Sequence, residues 1–99
     1  MYIYTYVNII LAKSPKSRYI LADTNKLCED NAVDNLEKCR DAVTEIKNIV
    51  PNAFFKNTEV EHKYPKGCNL WRRKGAVYFN EHGTGSKHKK ARQICKLQD

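Results

Sequence analysis

The sequence predicts an α+β fold: a small antiparallel sheet packed against one amphipathic helix and stabilised by disulfides. Three observations predict it. Apolar side chains at Val33, Leu36, Cys39, Val43, Ile46 and Val50 recur in steps of three and four, which traces one face of a helix. Several short runs of β-branched and aromatic residues alternate with polar or glycine-bearing turns. Cys28, Cys39, Cys68 and Cys95 form an even set in a chain of 99 residues, long enough for one domain but only a modest core.

Along the chain, MYIYTYVNIILA is apolar for about a dozen residues. A bilayer span needs ~20. The segment lacks a basic start, and Ile10-Leu11-Ala12 is a poor cleavage signal because Ile10 is not small. Tyr2, Tyr4 and Tyr6 alternate with Ile3, Thr5 and Val7, so residues 1–12 read as a β-like arm rather than a degenerate signal peptide. Lys13-Ser14-Pro15-Lys16-Ser17-Arg18 is a basic turn, only loosely like the SPKK motifs of DNA-binding tails. Tyr19-Ile20-Leu21-Ala22 reads as a short strand. The helix is expected at about 35–49, with Asp34 and Glu37 at capping-box spacing and Pro51 ending it. Ala53-Phe54-Phe55-Lys56 is a strand, and the charged stretch 57–66 is a loop. Residues 68–71 and 76–80 then form a hairpin about Arg72-Arg73-Lys74-Gly75, where Gly75 supplies the positive φ of the turn. Residues 82–90 read as a polar loop, and 91–97, with Cys95, as a last strand.

The formal charge of +7 is unevenly spread. Residues 23–45 carry seven acids against three bases, whereas 56–99 carry eleven Lys and Arg against four acids. Such asymmetry favours anionic partners: nucleic acid, acidic glycan, a membrane surface or an acidic protein face. It also allows the two halves to attract each other. The weight of Asn, Lys, Ile and Tyr suggests an A/T-rich coding genome, that of a protist or a large virus.

Each chemical motif has a plainer structural reading beside it. Arg72, Arg73 and Lys74, with Trp71 and Tyr78 nearby, suit a phosphate grip beside a stacking platform. They equally suit an exposed hairpin tip charged for solubility. Lys87, Lys89, Lys90 and Arg92, with His88, form a second basic cluster. Together the two clusters are the candidate anion-binding residues, although no helix-turn-helix, zinc-finger, RRM or KH signature accompanies them. Gly83-Thr84-Gly85-Ser86-Lys87 fails the phosphate-loop pattern, because Ser86 separates Gly85 from Lys87. His62, His82 and His88 are scattered, and no two cysteines have zinc-knuckle spacing, so neither metal nor cofactor is expected. An even cysteine set argues against a free nucleophile, so no enzyme is expected. No N-x-[ST] sequon occurs.

Two disulfides in a small domain point to an oxidising compartment, extracellular or within a virus particle; free thiols would point inside the cell. Three pairings are open to four cysteines. Cys39 lies on the helix stripe. Cys68 and Leu70 share one face of the first hairpin strand, and Val77 and Phe79 share one face of the second. If those faces coincide beneath the helix, Cys68 lies near Cys39.

Cys28 follows a short β-type run, and Glu37-Lys38-Cys39-Arg40-Asp41-Ala42 opens the helix. Then come Pro65-Lys66-Gly67-Cys68, Val77-Tyr78-Phe79-Asn80, Gly83-Thr84-Gly85 and Ile94-Cys95. In this order they resemble a small cysteine-containing module of algal and protist secreted proteins, with the pattern E-C-x-x-A, P-x-G-C, V-Y-F-N and I-C. The resemblance covers about residues 19–96. It implies a disulfide-stabilised module, often beside other extracellular modules, and names no ligand. This chain differs in its N-terminal arm, its greater basicity, and Asn69 after Cys68 where an aromatic is usual.

The expected molecule is therefore a single domain, 1–99, comprising the arm and the cysteine-containing module. The expected pairs are Cys39–Cys68, pinning hairpin to helix, and Cys28–Cys95, tying the ends. The leading functional expectation is a non-enzymatic structural or protein-interaction module within a larger assembly, such as a virus particle. The alternative is a basic module for nucleic acid or acidic glycan. A secreted inhibitor or toxin-like protein is the weaker third.

Overall fold

The computed structural model describes residues 18–71 and 74–97. The N-terminal arm, most of the basic turn after it, Arg72 and Arg73 lie outside the described residues. The element order is β1 (Tyr19–Leu21), α1 (Leu36–Ile46), β2 (Phe54–Glu59), β3 (Pro65–Trp71), β4 (Ala76–Gly85) and β5 (Ala91–Lys96). The strands form one sheet in the order β1-β5-β3-β4-β2, with α1 packed on one side. The α+β class and both disulfides, Cys28–Cys95 and Cys39–Cys68, are as the sequence predicts.

Helix α1 is shorter than the expected 35–49, and its cap is one residue later. Asn35, not Asp34, is the N-cap, with Oδ1 accepting from the Lys38 amide at 3.1 Å. Glu37 then sits in the first turn, where the helix dipole favours an acid. At the other end, the amides of Asn48 and Ile49 donate to the carbonyls of Glu45 and Ile46, three residues back. The last turn is thus tightened before Pro51, whose ring disfavours helical geometry at Val50. Of the predicted stripe, Val33, Cys39, Val43 and Ile46 are buried and Leu36 and Val50 partly so; with Ala42, which the stripe did not include, they meet Leu70, Val77, Phe79 and Ile94 in the main core.

The sheet is mixed rather than antiparallel. Three pairings are antiparallel, but β2 runs parallel to β4. Consecutive β2 and β3 are not neighbours, because β4 lies between them. The connection from β2 to β3 must therefore cross β4, and Asn80, midway along that strand, secures it. Its Nδ2 donates to the carbonyls of Glu61, Tyr64 and Pro65 at 2.7, 3.1 and 3.0 Å. Its Oδ1 accepts from the amides of Glu61 and His82 at 2.9 and 3.2 Å. The side chain is 2% exposed, so these bonds replace the water it loses.

The hairpin faces coincide as expected: Cys68 is opposite Phe79, and Leu70 is opposite Val77. Gly75 closes the hairpin at φ 71°. Gly67 has φ 80°, and a Cβ there would lie 2.3 Å from the Val33 carbonyl oxygen. At this point residues 31–33 run against β5, with Ala32 bridged to Cys95, and crowd the start of β3. Only glycine at position 67 lets the two backbones pass here.

Glu59 ends β2 half-buried, with Oε2 out of reach of any hydrogen-bond partner among the described residues. Burial pushes its carboxyl above the ordinary value of 4.5, and Glu61 adds to the rise. The folded chain therefore holds this proton more tightly than the unfolded one. The resulting stabilisation is complete below the unfolded value and is lost as pH rises through the raised folded value. Glu59→Gln is expected to raise the melting temperature at neutral pH and to flatten its decline above about pH 4.5. Thermal scans across this range check it; a variant no more stable than its parent at neutral pH would refute it.

Candidate functional site

Among the described residues, the face of the sheet away from α1 carries no helix. Alternation places Trp71, Asn69, Tyr78, Ala76, Ala91 and Gln93 on it. The cross-strand partners of Trp71 are Ala76 on β4 and Ala91 on β5, both too short to fill the space beside an indole. A cleft of about 610 Å³ opens here, lined by Thr24, Trp71, Lys74, Ala76, Tyr78, Lys89 and Lys90. It lies at the C-terminal end of β3 and the N-terminal ends of β4 and β5.

Local bonds fix the walls. Lys74 comes from the β3–β4 turn, where its amide donates to the Trp71 carbonyl at 3.2 Å. Lys89 and Lys90 come from the turn before β5, where His88 Nδ1 accepts from the Lys90 amide at 3.0 Å and the Ala91 amide donates to the His88 carbonyl at 3.2 Å. Asn25, at φ 62°, turns the loop after β1 so that its amide donates to the same carbonyl, bringing Thr24 to the rim. Trp71 is held by Tyr64 and His88, with ring centroids 5.1 and 5.4 Å away; Tyr64 meets both rings edge-on.

The charge of the cleft is one-sided. Among the described residues three lysines line it and no carboxylate does. The ion pairs among those residues are Arg18–Glu45 and Arg92–Asp23, so Lys74, Lys89 and Lys90 have no ionic partner among them. The candidate basic residues therefore divide. Lys74, Lys89 and Lys90 line the same cleft as Trp71 and Tyr78. Lys87 is exposed outside the lining. Arg92 is used structurally: its Nε donates to the Ala22 carbonyl at 2.7 Å and its second amino group to that of Leu21 at 3.3 Å. Thr24 and Tyr64 were not singled out for this site, whereas His88 was named with the second basic cluster.

The deeper polar residues of this face are structural. Asn69 Nδ2 donates to the carbonyls of Pro65 and Gly67 at 2.5 and 3.3 Å. Gln93 accepts from the Cys28 amide at 2.6 Å and donates to the Lys66 carbonyl at 2.7 Å. All four cysteines are in disulfides, so none is available as a nucleophile or ligand. Nδ1 of His82 accepts from the amides of Thr84 and Gly85 at 3.2 and 2.9 Å. No helix among the described residues is long and apolar enough to cross a membrane. No protein-family profile, curated protein or solved structure matches this chain.

Proposed function

We propose that the chain is a non-enzymatic, disulfide-stabilised binding module that contacts an anionic polymer through the open face of its sheet. The cleft carries the reading: aromatic side chains form its floor, and three lysines with no carboxylate partner among the described residues stand at its rim. Such a surface attracts repeated negative charge and gives it something flat to rest on. The paired cysteines suit an extracellular or virion setting. Trp71, the single tryptophan, reports the contact directly. Titration with dextran sulfate and with polythymidylate should shift its emission at low salt, and rising salt should reverse the shift. No shift with either polymer would sink the reading.

The second reading is a structural component of a larger assembly, such as a virus particle. One observation favours it: β1 is an edge strand, paired only with β5 among the described residues, and the chain enters it from the arm. Residues 1–12, read from the sequence as a β-like arm, could add a strand to that edge of a neighbouring copy's sheet. Deleting residues 1–12 should abolish association with the assembly while both disulfides still form. Unchanged association would remove this reading.

A further inference from the structure

We infer that the cleft binds the acidic sugar units of a glycan, bearing carboxylate or sulfate groups, rather than the bases and phosphates of a nucleic acid. This rests on the anionic-polymer reading and narrows it.

Three features of the cleft choose between the two. The first is where the cations come from. Lys74 belongs to the β3–β4 turn, whereas Lys89 and Lys90 belong to the turn before β5, so ammonium groups reach the aromatic floor from two separate loops. An acidic hexose carries its charges around the rim of a ring whose C–H face is apolar. It can rest that face on Trp71 or Tyr78 while its anionic substituents meet lysines from both loops. A single nucleic-acid strand instead carries its charges along one line, beside the bases.

The second is what the lining lacks. Thr24 and Tyr78 supply its uncharged polar side chains, and among the described residues it holds no Asn or Gln to read a base edge. Among the buried amides of this face, Asn80 and Gln93 bond to the protein's own backbone through both oxygen and nitrogen, and Asn69 does so through Nδ2. The third is chemical setting. Two disulfides belong to oxidising compartments, where acidic glycans are the abundant polyanions. The cleft volume also falls within the range of ordinary small-ligand sites and suits one or two sugar units.

Trp71 emission can test this with three probes: a heparin tetrasaccharide, hexathymidylate and neutral maltotetraose. The heparin fragment should give saturable binding that weakens with salt, and maltotetraose should give none. Lys89→Gln/Lys90→Gln should weaken heparin binding about tenfold or more, because each lysine makes a charge-assisted contact. Lys38→Gln/Lys47→Gln, on the helix side, removes the same charge and should change it less than about twofold. These lysines are all exposed, so both variants should fold. Binding of hexathymidylate without heparin would overturn the glycan assignment but leave the anionic-polymer reading standing. No binding of either anion at low salt would overturn both. Equal losses in the two lysine variants would overturn the cleft as the site, as would binding of maltotetraose as tight as that of heparin.

Discussion

Gly67→Ala is expected to destabilise the fold by about 3 kcal/mol or more, enough to unfold much of a marginally stable small domain. Two costs combine at this residue. Its φ of 80° is unfavourable for any residue with a Cβ. The added Cβ would also lie 2.3 Å from the Val33 carbonyl oxygen, which is backbone and cannot swing aside. Relief requires residues 31–33 to move off β5 or β3 to shift, and Cys68, the next residue, holds β3 to the helix. Urea denaturation of the oxidised variant checks this. The contrast is Gly83→Ala, where an added Cβ meets nothing within 4 Å and φ is not positive. Similar losses at the two glycines would show that loss of glycine itself, rather than the Val33 contact, sets the cost.

Removing the Cys39–Cys68 disulfide is expected to cost more than removing Cys28–Cys95, although it closes the shorter loop. The pairs are separated by 29 and 67 residues. Loop-closure entropy assigns them about 3.6 and about 4.4 kcal/mol, a difference below about 1 kcal/mol in favour of the long loop. Packing acts the other way. Cys39 and Cys68 are both 0% exposed in the main core, so Cys39→Ala/Cys68→Ala leaves a hole there. Core truncations cost several kcal/mol when the surroundings cannot collapse. Cys28 and Cys95 lie in a small satellite cluster with Ala32 and Ala22, where less packing is lost. Melting temperatures of the two double-alanine variants decide the order. If Cys28→Ala/Cys95→Ala is the less stable, chain entropy outweighs core packing.

Much of this architecture is legible in the sequence because it rests on local periodicity. The stripe from Val33 to Val50 marks the helix, and alternation about Gly75 places Cys68, Leu70, Val77 and Phe79 on one face. Those two facts bring Cys68 to Cys39. What sequence does not convey depends on non-local partners. Residues 82–85 look like loop because they are polar, yet they continue β4: Gly85 is paired with Pro65. The parallel placement of β2 is equally hidden, because adjacent β-type runs usually become neighbours, and nothing local shows that Asn80 holds a crossing loop. The cleft is legible in part. Trp71, Tyr78 and the lysines are conspicuous residue types, but Ala76 and Ala91 make room for the indole, and only the strand register reveals them. Arg92 resembles its basic neighbours in sequence; the carbonyls of Leu21 and Ala22 that occupy it come from β1 and the residue after it, about seventy positions away.

The nesting of the two disulfides has a further consequence, for survival under proteolysis. Cys28–Cys95 closes a covalent ring that contains Cys39–Cys68 within it. A single protease cut anywhere between Cys28 and Cys95 opens the chain but releases no fragment, because both new ends remain attached through the outer bridge. The lysine-bearing turns of the cleft all lie inside this ring. Only segments before Cys28 or after Cys95 can be shed by one cut. A nicked molecule therefore keeps its mass apart from one added water, and its cleft residues stay on one covalent body until a reductant separates the pieces.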